Sequence, residues 1–427
     1  MDSIWEEKIR ETALAQYKQN VYLIGMHMRD ATNIFQTLQT LDESHRPDLL
    51  AKACILFAAA GLETNLSYYS ILALALNDAA SAAIYQDAEL EYLKALQMDL
   101  TKDAELSPRK QKQSLDDRLV IVPRLLGRAF ERTFVLTLED HGVTRLNNTI
   151  ERRDVIIHPS CDRYPDFGLD EAVEAIYSVA LYVDSVRKQF FPHMVGYIVM
   201  LSHHAPLISG LVKEQPVPLR FLTLREPKEL IAALSTEWTD AHVLFDIANM
   251  HGAEGDSDGS MLTRTALVML YAMVNAHLSI IAHLALESDP SRFTEKERNY
   301  FNEVDYEVSV SGKAILQPVK QTFEDRANII PTVIASRLCP NKLAFNRGDT
   351  WYQNTFKTFF NLRNGVMHSK FGEAVPRVSK AELLEAFKAV RSYCEHLSTA
   401  EGILQFYRVL LDNSPLQVLG PENFDFC

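Results

Sequence analysis

Residues 114–126 read SLDDRLVIVPRLL, and residues 322–334, far along the chain, read TFEDRANIIPTVI. The aspartate, arginine and proline of the first segment recur 208 residues later as Asp325, Arg326 and Pro331. In both segments the apolar residues follow the 3.6-residue period of an amphipathic helix. Similarity at a fixed period is the signature of an internal repeat. This pattern therefore predicts two copies of one helical unit.

Two further matches extend the repeat in the same order along the chain. LETNLS at 62–67 aligns with VNAHLS at 274–279, and VEAIYSV at 173–179 aligns with LEAFKAV at 384–390. Aligned residues are separated by 208 to 212 positions in every case. So small a drift argues against chance and predicts a repeat that covers most of the chain.

Helical patterning dominates the sequence, so we predict an all-α fold. Gly and Pro are sparse, at 16 and 17 residues, and strand patterns are nearly absent apart from LRFLTL at 219–224. We expect two homologous helical bundles, at residues 1–205 and 227–427, joined by a linker at 206–226. Two similar units in one chain often pack about a pseudo-two-fold axis. The sequence thus predicts an intramolecular pseudo-dimer, either as a monomer with this axis or as a homodimer.

The composition is that of a globular protein with an acidic surface. The 427 residues are 47% hydrophobic and 23% charged, and the formal net charge is -13. Such a composition is typical of soluble globular proteins rather than disordered or membrane proteins. Because an acidic surface repels phosphate backbones at long range, we expect any contact with nucleic acid to come from a local basic patch.

The cysteines and the N-terminus indicate a reducing compartment. The five cysteines are scattered and include no CxxC pair, which disfavours a disulfide framework or a cysteine-bound zinc. The first residues, MDSIWEEKIRET, lack the apolar run of a signal peptide. We therefore predict a cytoplasmic protein. His203 and His204 have no acidic or cysteine partner at ligand spacing, so we predict no metal site, and we also predict no cofactor.

Two apolar stretches, at 194–212 and 266–286, are long enough to cross a membrane. The second aligns with residues 53–76, which contain Glu63 in their middle. A charge at that depth is unfavourable in lipid. We therefore expect buried helices of a soluble bundle and no membrane partner.

One element of the repeat carries the candidate chemistry. The sequence reads RDVIIHPS at 153–160 and RNGVMHSK at 363–370. Each copy has an arginine, a polar neighbour and a histidine five positions after the arginine: Arg153, Asp154 and His158 in the first, and Arg363, Asn364 and His368 in the second. Pro159 disfavours helical geometry at the residue before it, and Gly372 is a stop signal in the second copy. We expect each histidine to lie at or near a helix C-terminus.

That location would suit the pair to phosphoryl chemistry. The negative end of a helix dipole favours imidazolium and raises the pKa of a histidine above its usual value of about 6.5. Such a histidine moves a proton near neutral pH, while the guanidinium stabilises the charge of a pentavalent phosphorane. The residue types therefore predict acid–base chemistry at a phosphodiester.

The two segments resemble the R-x4-6-H signature of the HEPN superfamily, and the chain is similar to a tandem HEPN protein over most of its length. Asn364 is the residue most typical of the second motif position, and Asp154 is an allowed variant. The resemblance implies two bundles of about four or five helices each. It also implies that the bundles dimerise so that both motifs face one cleft.

Many members of that family are metal-independent endoribonucleases, in which the RNA 2′-OH attacks the adjacent phosphate and leaves a 2′,3′-cyclic phosphate and a 5′-OH. The resemblance implies that the two histidines act as general base and acid, that the two arginines stabilise the phosphorane, and that their polar neighbours orient them. RNA is then the substrate, in a defence or toxin setting, with a regulatory protein or antitoxin as partner. The alternative is a non-catalytic HEPN pair that binds RNA, a nucleotide or a protein.

A basic stripe offers a candidate RNA contact. Arg124, Arg128 and Arg132 recur at i, i+4 and i+8, which would place three guanidinium groups on one helical face. The alternative is a solvated face paired with Glu or Asp. The aligned part of the second unit lacks this stripe, so any RNA track is expected to be asymmetric.

Other polar and aromatic positions have both a structural and a functional interpretation. Glu63 and Asn275 are aligned within apolar helices, which indicates a hydrogen-bond partner inside each bundle. Arg118 and Arg326 of the repeated Asp-Arg pair could support the site, or their aspartates could cap a helix. Aromatic residues before the second motif could stack on bases or pack in the core: Trp351, Tyr352, Phe356, Phe359 and Phe360.

Overall fold

The protein is mostly helical in the computed structural model, as the sequence predicts. The structure describes residues 7, 11–12, 15, 27–36, 47–94, 96–100, 106–110, 114–138, 141–157, 159, 162–190, 210–226, 229, 232–233, 257–308, 314–318, 321–338, 356–367 and 378–401.

In the first half of the chain a long helix is followed by a short helix, an antiparallel hairpin and three more helices. The elements are α1 (Pro47–Ala79), α2 (Asp87–Leu93), β1 (Leu96–Leu100), β2 (Leu106–Lys110), α3 (Leu115–Ala129), α4 (Gly142–Ile157), β3 (Tyr164–Pro165), α5 (Leu169–Phe190) and β4 (Phe221–Leu222). A helical stretch at residues 27–36 packs closely on α1, because a Cβ at Gly61 would lie 3.0 Å from Cγ of Met28.

The second half repeats the same order of a long helix, a short helix, a hairpin and three helices. The elements are α6 (Ser257–Ser288), α7 (Glu295–Phe301), β5 (Val304–Val308), β6 (Ala314–Pro318), α8 (Phe323–Leu338), α9 (Lys357–Met367) and α10 (Lys380–Glu401). A single 3-10 turn at Pro290–Arg292 precedes α7. The repeat seen in the sequence is therefore also a repeat of secondary structure among the described residues.

The hairpins were not predicted from the sequence. The first pairs β1 with β2 from Leu96↔Lys110 to Leu100↔Leu106, and the second pairs β5 with β6 from Val304↔Pro318 to Val308↔Ala314. Each strand has five residues, and one strand of each hairpin contains a proline. Proline cannot donate to a ladder, so such short strands give a weak pattern. Within the strand-like pattern at 219–224, which we interpreted as part of the linker, Phe221 and Leu222 form β4 and pair with β3.

The chain divides into two compact units. The first comprises Met1–Arg153, Phe167–Leu219 and Met367–Val375, and the second comprises Asp154–Asp166, Arg220–Val366 and Pro376–Cys427. The chain passes from the first unit to the second between Leu219 and Arg220, within the linker predicted at 206–226. Helix α4 crosses a boundary, because Arg153 belongs to the first unit and Asp154 to the second.

The repeated proline has the same partner in both units. Pro123 lies inside α3 and Pro331 inside α8, and a proline lacks the N–H that would bond the carbonyl four residues earlier. Buried tyrosine hydroxyls of the last helix of each unit donate to those carbonyls: Tyr182 to Leu119 at 2.9 Å, and Tyr393 to Ala327 at 2.8 Å. Each tyrosine thus satisfies an acceptor that the proline leaves without its helical donor.

The amide of the repeated aspartate donates to a capping hydroxyl at the N-terminus of the same helix. Ser114 precedes α3 and accepts a hydrogen bond from the amide of Asp117 at 3.0 Å. Thr322 precedes α8 and accepts one from the amide of Asp325 at 3.1 Å. Hydroxyl caps of this type satisfy amides that have no partner in the first turn of a helix.

The repeated arginine joins this helix to the central helix of its unit. Arg118 donates to the hydroxyl of Ser67 on α1 at 3.0 Å, and Arg326 donates to the hydroxyl of Ser279 on α6 at 2.6 Å. Arg326 also pairs with Glu303, with 2.5 Å between Nη1 and Oε1. The Asp-Arg pair therefore has a structural role in both units.

Among the described helices, α1 and α6 each contain a span that is apolar enough to cross a membrane by length and composition. The spans are Asp48–Ala79 in α1 and Thr263–Ser288 in α6. In their most apolar 18-residue stretches, 89% and 100% of the residues are buried inside the protein. This burial agrees with the interpretation as central helices of bundles. The other apolar stretch, at 194–212, lies outside the described residues except for its last three positions, 210–212.

Candidate functional site

The first motif lies at the end of α4. Its last described helical residue is Ile157, four residues after Arg153, and the following proline, Pro159, is buried. A helix end at this point was predicted from Pro159. His158 lies outside the described residues.

Arg153 is held by a carboxylate of the central helix. Its Nη2 donates to Oε1 of Glu63 at 2.5 Å, and the side chains are 13% and 15% exposed. Charge-assisted hydrogen bonds of this kind are short and directional. The sequence predicted a polar partner for Glu63 inside the bundle, and Arg153 is that partner. Asp154, which neighbours Arg153, is half-buried.

The last turn of α4 is also fixed by a hydrogen bond, whose donor and acceptor both belong to the second unit. Asn275 of α6 is fully buried, and its side-chain amide donates a hydrogen bond to the carbonyl of Ile157. The last carbonyls of a helix have no partner within the helix itself. Asn275 therefore fixes the backbone that leads into His158. Glu63 bonds Arg153 within the first unit, and the aligned Asn275 bonds Ile157 within the second.

The second motif lies at the end of α9. The helix ends at Met367, four residues after Arg363, so both motif arginines are one helical turn from the last described residue of their helix. Arg363 is 3% exposed, and its Cζ lies 3.8 Å from the centre of the Tyr271 ring. Its Nη1 donates to Oδ1 of Asn364 at 2.9 Å. His368 lies outside the described residues.

The aromatic residues before the second motif pack in the core. Phe356 and Phe359 are 1% and 2% exposed, and Phe360 stacks on Phe323 with ring centres 5.4 Å apart. Tyr271 contacts the same group, at 4.5 Å from Phe323. These rings therefore pack around Tyr271, whose ring contacts Arg363. Trp351 and Tyr352 lie outside the described residues.

The predicted basic stripe is not a single helical face. Helix α3 ends at Ala129, before Arg132, and Arg132 donates to the carbonyl of Gln189 at 2.5 Å. The helix stops there because Glu131 adopts a left-handed conformation with φ of 53°, which closes a C-terminal turn.

The two remaining members of the stripe differ in their surroundings. Arg128 pairs with Glu89 and donates to the carbonyl of Ile84 at 3.0 Å. Arg124 is exposed and makes no hydrogen bond or ion pair within the part of the chain that the structure describes. One of the three arginines is therefore paired with an acidic residue, as the alternative interpretation expected.

A buried ion pair beside Arg153 was missed by sequence reasoning. Arg152 is fully buried, donates to the carbonyl of Val217 at 2.7 Å and lies 3.7 Å from Oε2 of Glu174. The same carboxylate oxygen accepts from the amide of Val217 at 2.7 Å. Arg145, which also lies on α4, donates to the carbonyls at positions 213 and 214. Together these side chains attach the segment 213–217 to α4 and α5.

Burial dominates the electrostatics of this pair. Burial raises the pKa of Glu174, against the opposing attraction of Arg152, and burial also lowers the pKa of Arg152. Both shifts favour the neutral forms, as expected where desolvation outweighs the attraction between two charges. The sequence gives no signal for the pair, because its members lie on different helices and Val217 contributes only backbone atoms.

The structure places each motif arginine against the central helix of its own unit. Arg153 contacts Glu63 of α1, and Arg363 contacts Tyr271 of α6. Comparison of the chain with protein-family models, with curated proteins and with solved structures found no match. The functional assignment therefore rests on the repeated motif and on these contacts.

Proposed function

We propose that this chain is a tandem HEPN protein and acts as a metal-independent endoribonuclease. The observation that carries the proposal is the repetition of the arginine–histidine motif at matching places in two copies of one element order. In both copies the arginine is one turn from the end of its helix and lies against the central helix of its unit. Two homologous bundles would then act as an intramolecular pseudo-dimer in which both motifs contribute to one site.

The boundary between the two units lies within the first motif, between Arg153 and Asp154. Residues Asp154–Asp166 belong to the second unit, and within that unit the carbonyl of Ile157 accepts a hydrogen bond from the side-chain amide of Asn275. The backbone that precedes the first histidine is therefore bonded within the unit that contains Arg363 and Asn364. A site that needs two motifs explains why one chain carries both.

The proposed reaction uses the two histidines as general base and general acid. One histidine accepts the proton of the RNA 2′-OH, the freed oxygen attacks the adjacent phosphorus, and the other histidine protonates the departing 5′ oxygen. The arginines stabilise the negative charge on the phosphorane, and Asn364 and Asp154 orient them. The products are a 2′,3′-cyclic phosphate and a 5′-OH. RNA is the substrate, because the nucleophile is its 2′-OH.

The test is cleavage of labelled single-stranded RNA in EDTA, followed by analysis of the end groups. The wild-type protein should leave a 2′,3′-cyclic phosphate, and RNA with a 2′-deoxy group at the cut position should resist. His158→Ala and His368→Ala should each lower the rate by about 10²–10⁴. Cleavage by the double variant at the wild-type rate would refute the assignment of the histidines.

A second candidate function is a non-catalytic HEPN pair that binds RNA, a nucleotide or a partner protein. The burial of Arg363 favours it, because a side chain that is 3% exposed and stacked on Tyr271 is held as a structural arginine would be. A binding module would retain labelled RNA or a partner protein without producing new ends, and the double histidine variant would bind as the wild type does.

We also propose a cytoplasmic location and control by a regulatory protein or antitoxin, since a nuclease of this kind has to be kept inactive in its host. The wild-type protein, purified from cells without added RNA, should then carry a copurifying inhibitor whose removal increases cleavage.

A further inference from the structure

We infer that one turn of each central helix holds the motif arginine of its unit, with Glu63 as the positioning residue for Arg153 and Tyr271 as the positioning residue for Arg363. This inference rests on the proposed function for its effect on cleavage. Its structural part, which concerns where the guanidinium groups are held, can be tested without nuclease activity.

The aligned positions of the two central helices make the argument. Glu63 aligns with Asn275, and Ala59, one turn earlier, aligns with Tyr271. In the first unit the carboxylate comes from Glu63, at the second of these two aligned positions. In the second unit the aromatic ring comes from Tyr271, at the first of them. Both of them reach the arginine of their own motif.

The ring of Tyr271 is itself well fixed. It is 3% exposed and lies 4.5 Å from the Phe323 ring and 6.2 Å from the Phe360 ring. A guanidinium within about 6 Å of a ring centre is attracted by the negative face of the ring. Because the ring cannot move easily, it restricts the position of the Arg363 guanidinium, which also donates to Oδ1 of Asn364.

Position matters more than charge alone for an arginine that stabilises a transition state. A displacement of about 1 Å can lower a rate about 10²-fold. Loss of a positioning residue should therefore lower kcat and leave KM nearly unchanged, since the arginine acts on charge that develops during the reaction. A residue that only stabilises the fold would change the melting temperature without this selective loss.

The decisive pair of variants is Tyr271→Leu, which removes the ring, and Tyr271→Phe, which keeps it. Tyr271→Leu should lower kcat for single-stranded RNA by about 10-fold to 10²-fold, whereas Tyr271→Phe should keep the wild-type value. Equal losses in the two variants would assign the effect to the hydroxyl and overturn the inference.

A second measurement uses phenylglyoxal, which modifies accessible arginines, with the sites located by mass spectrometry. Arg363 should be protected in the wild type and in Tyr271→Phe, and modified faster in Tyr271→Leu. Arg264, which is 2% exposed in the same unit, should stay protected in all three and so reports an intact fold. Glu63→Gln should increase the modification of Arg153 in the same way.

The cleavage kinetics and the arginine modification together distinguish the proposed function from the positioning role of Tyr271. If the wild type cuts no RNA, the proposed function fails, and the modification pattern still decides whether Tyr271 holds Arg363. If the wild type cuts RNA and Tyr271→Leu matches it in both kcat and modification, the proposed function stands and the positioning role is refuted.

Discussion

In the first unit a carboxylate on α1 pairs with the motif arginine, whereas in the second unit an aromatic ring on α6 lies under it. The surrounding framework does not differ in this way. The helix with the internal proline has the same hydroxyl cap, the same arginine–serine bond and the same tyrosine–carbonyl bond in both units.

The contrast shows which parts of the repeat are constrained. A carbonyl left open by a proline needs a donor, and few side chains can reach it, so the solution recurs. A buried guanidinium can be stabilised by a carboxylate or by a ring, so the two units could diverge. Variants at aligned positions can test this contrast directly.

The largest difference is expected at Glu174 and its aligned residue Glu385. Glu174 is buried against Arg152, whereas Glu385 is exposed and pairs with Lys388 on the surface at 2.7 Å. Removing one member of a buried pair leaves the other charge without compensation, so Glu174→Ala should lower the free energy of unfolding by about 3–5 kcal/mol. Glu385→Ala should change it by less than about 0.5 kcal/mol.

Urea unfolding of the two variants beside the wild type measures this difference. Equal changes at the two positions would mean that the aligned glutamates have equivalent environments, contrary to their burial. Glu174→Gln is a useful third variant, because it keeps an acceptor for the Val217 amide while it removes the charge.

The next effect is a pH dependence at one position of the second unit, whose aligned position in the first unit does not titrate. Burial lowers the pKa of His277 to about 3, and the aligned residue in the first unit is Asn65, which does not titrate. The unfolded chain takes up a proton near pH 6.5, and the folded state does not. The stability from neutral His277 is therefore complete above about pH 6.5 and is lost as the pH falls toward 3.

Between pH 7 and pH 5 this linkage amounts to about 2 kcal/mol. His277→Asn, which copies the residue of the first unit, should remove that part of the acid sensitivity. The measurement is the free energy of unfolding of both proteins at the two pH values. A variant that loses as much stability as the wild type on acidification would exclude His277 as the source.

Sequence periodicity was enough to predict the helices and the repeat, because apolar residues at helical spacing and the aligned prolines are local features. The end of α4 was predicted for the same reason, since Pro159 acts on the residue next to it. The polar partner of Glu63 was also expected, because a carboxylate in an apolar helix requires one.

Features that depend on tertiary contact or on unusual backbone geometry were not predictable. The end of α3 before Arg132 follows from the left-handed Glu131, and glutamate gives no signal for that conformation. The buried ion pair of Arg152 and Glu174 joins residues from different helices. Tyr271 was part of an apolar helix like many others, and only the structure shows that its ring lies under Arg363.

The smallest predicted effect tests the similarity of the units rather than their difference. Tyr182→Phe and Tyr393→Phe each remove the donor to a carbonyl that a proline leaves open. Each should lower the free energy of unfolding by about 1 kcal/mol, and by similar amounts because the contacts match. In a Pro123→Ala background the restored amide can bond Leu119, so Tyr182→Phe should there have a smaller effect. A double-mutant cycle by urea unfolding measures this coupling, and additive effects would show that the tyrosine does not compensate for the proline.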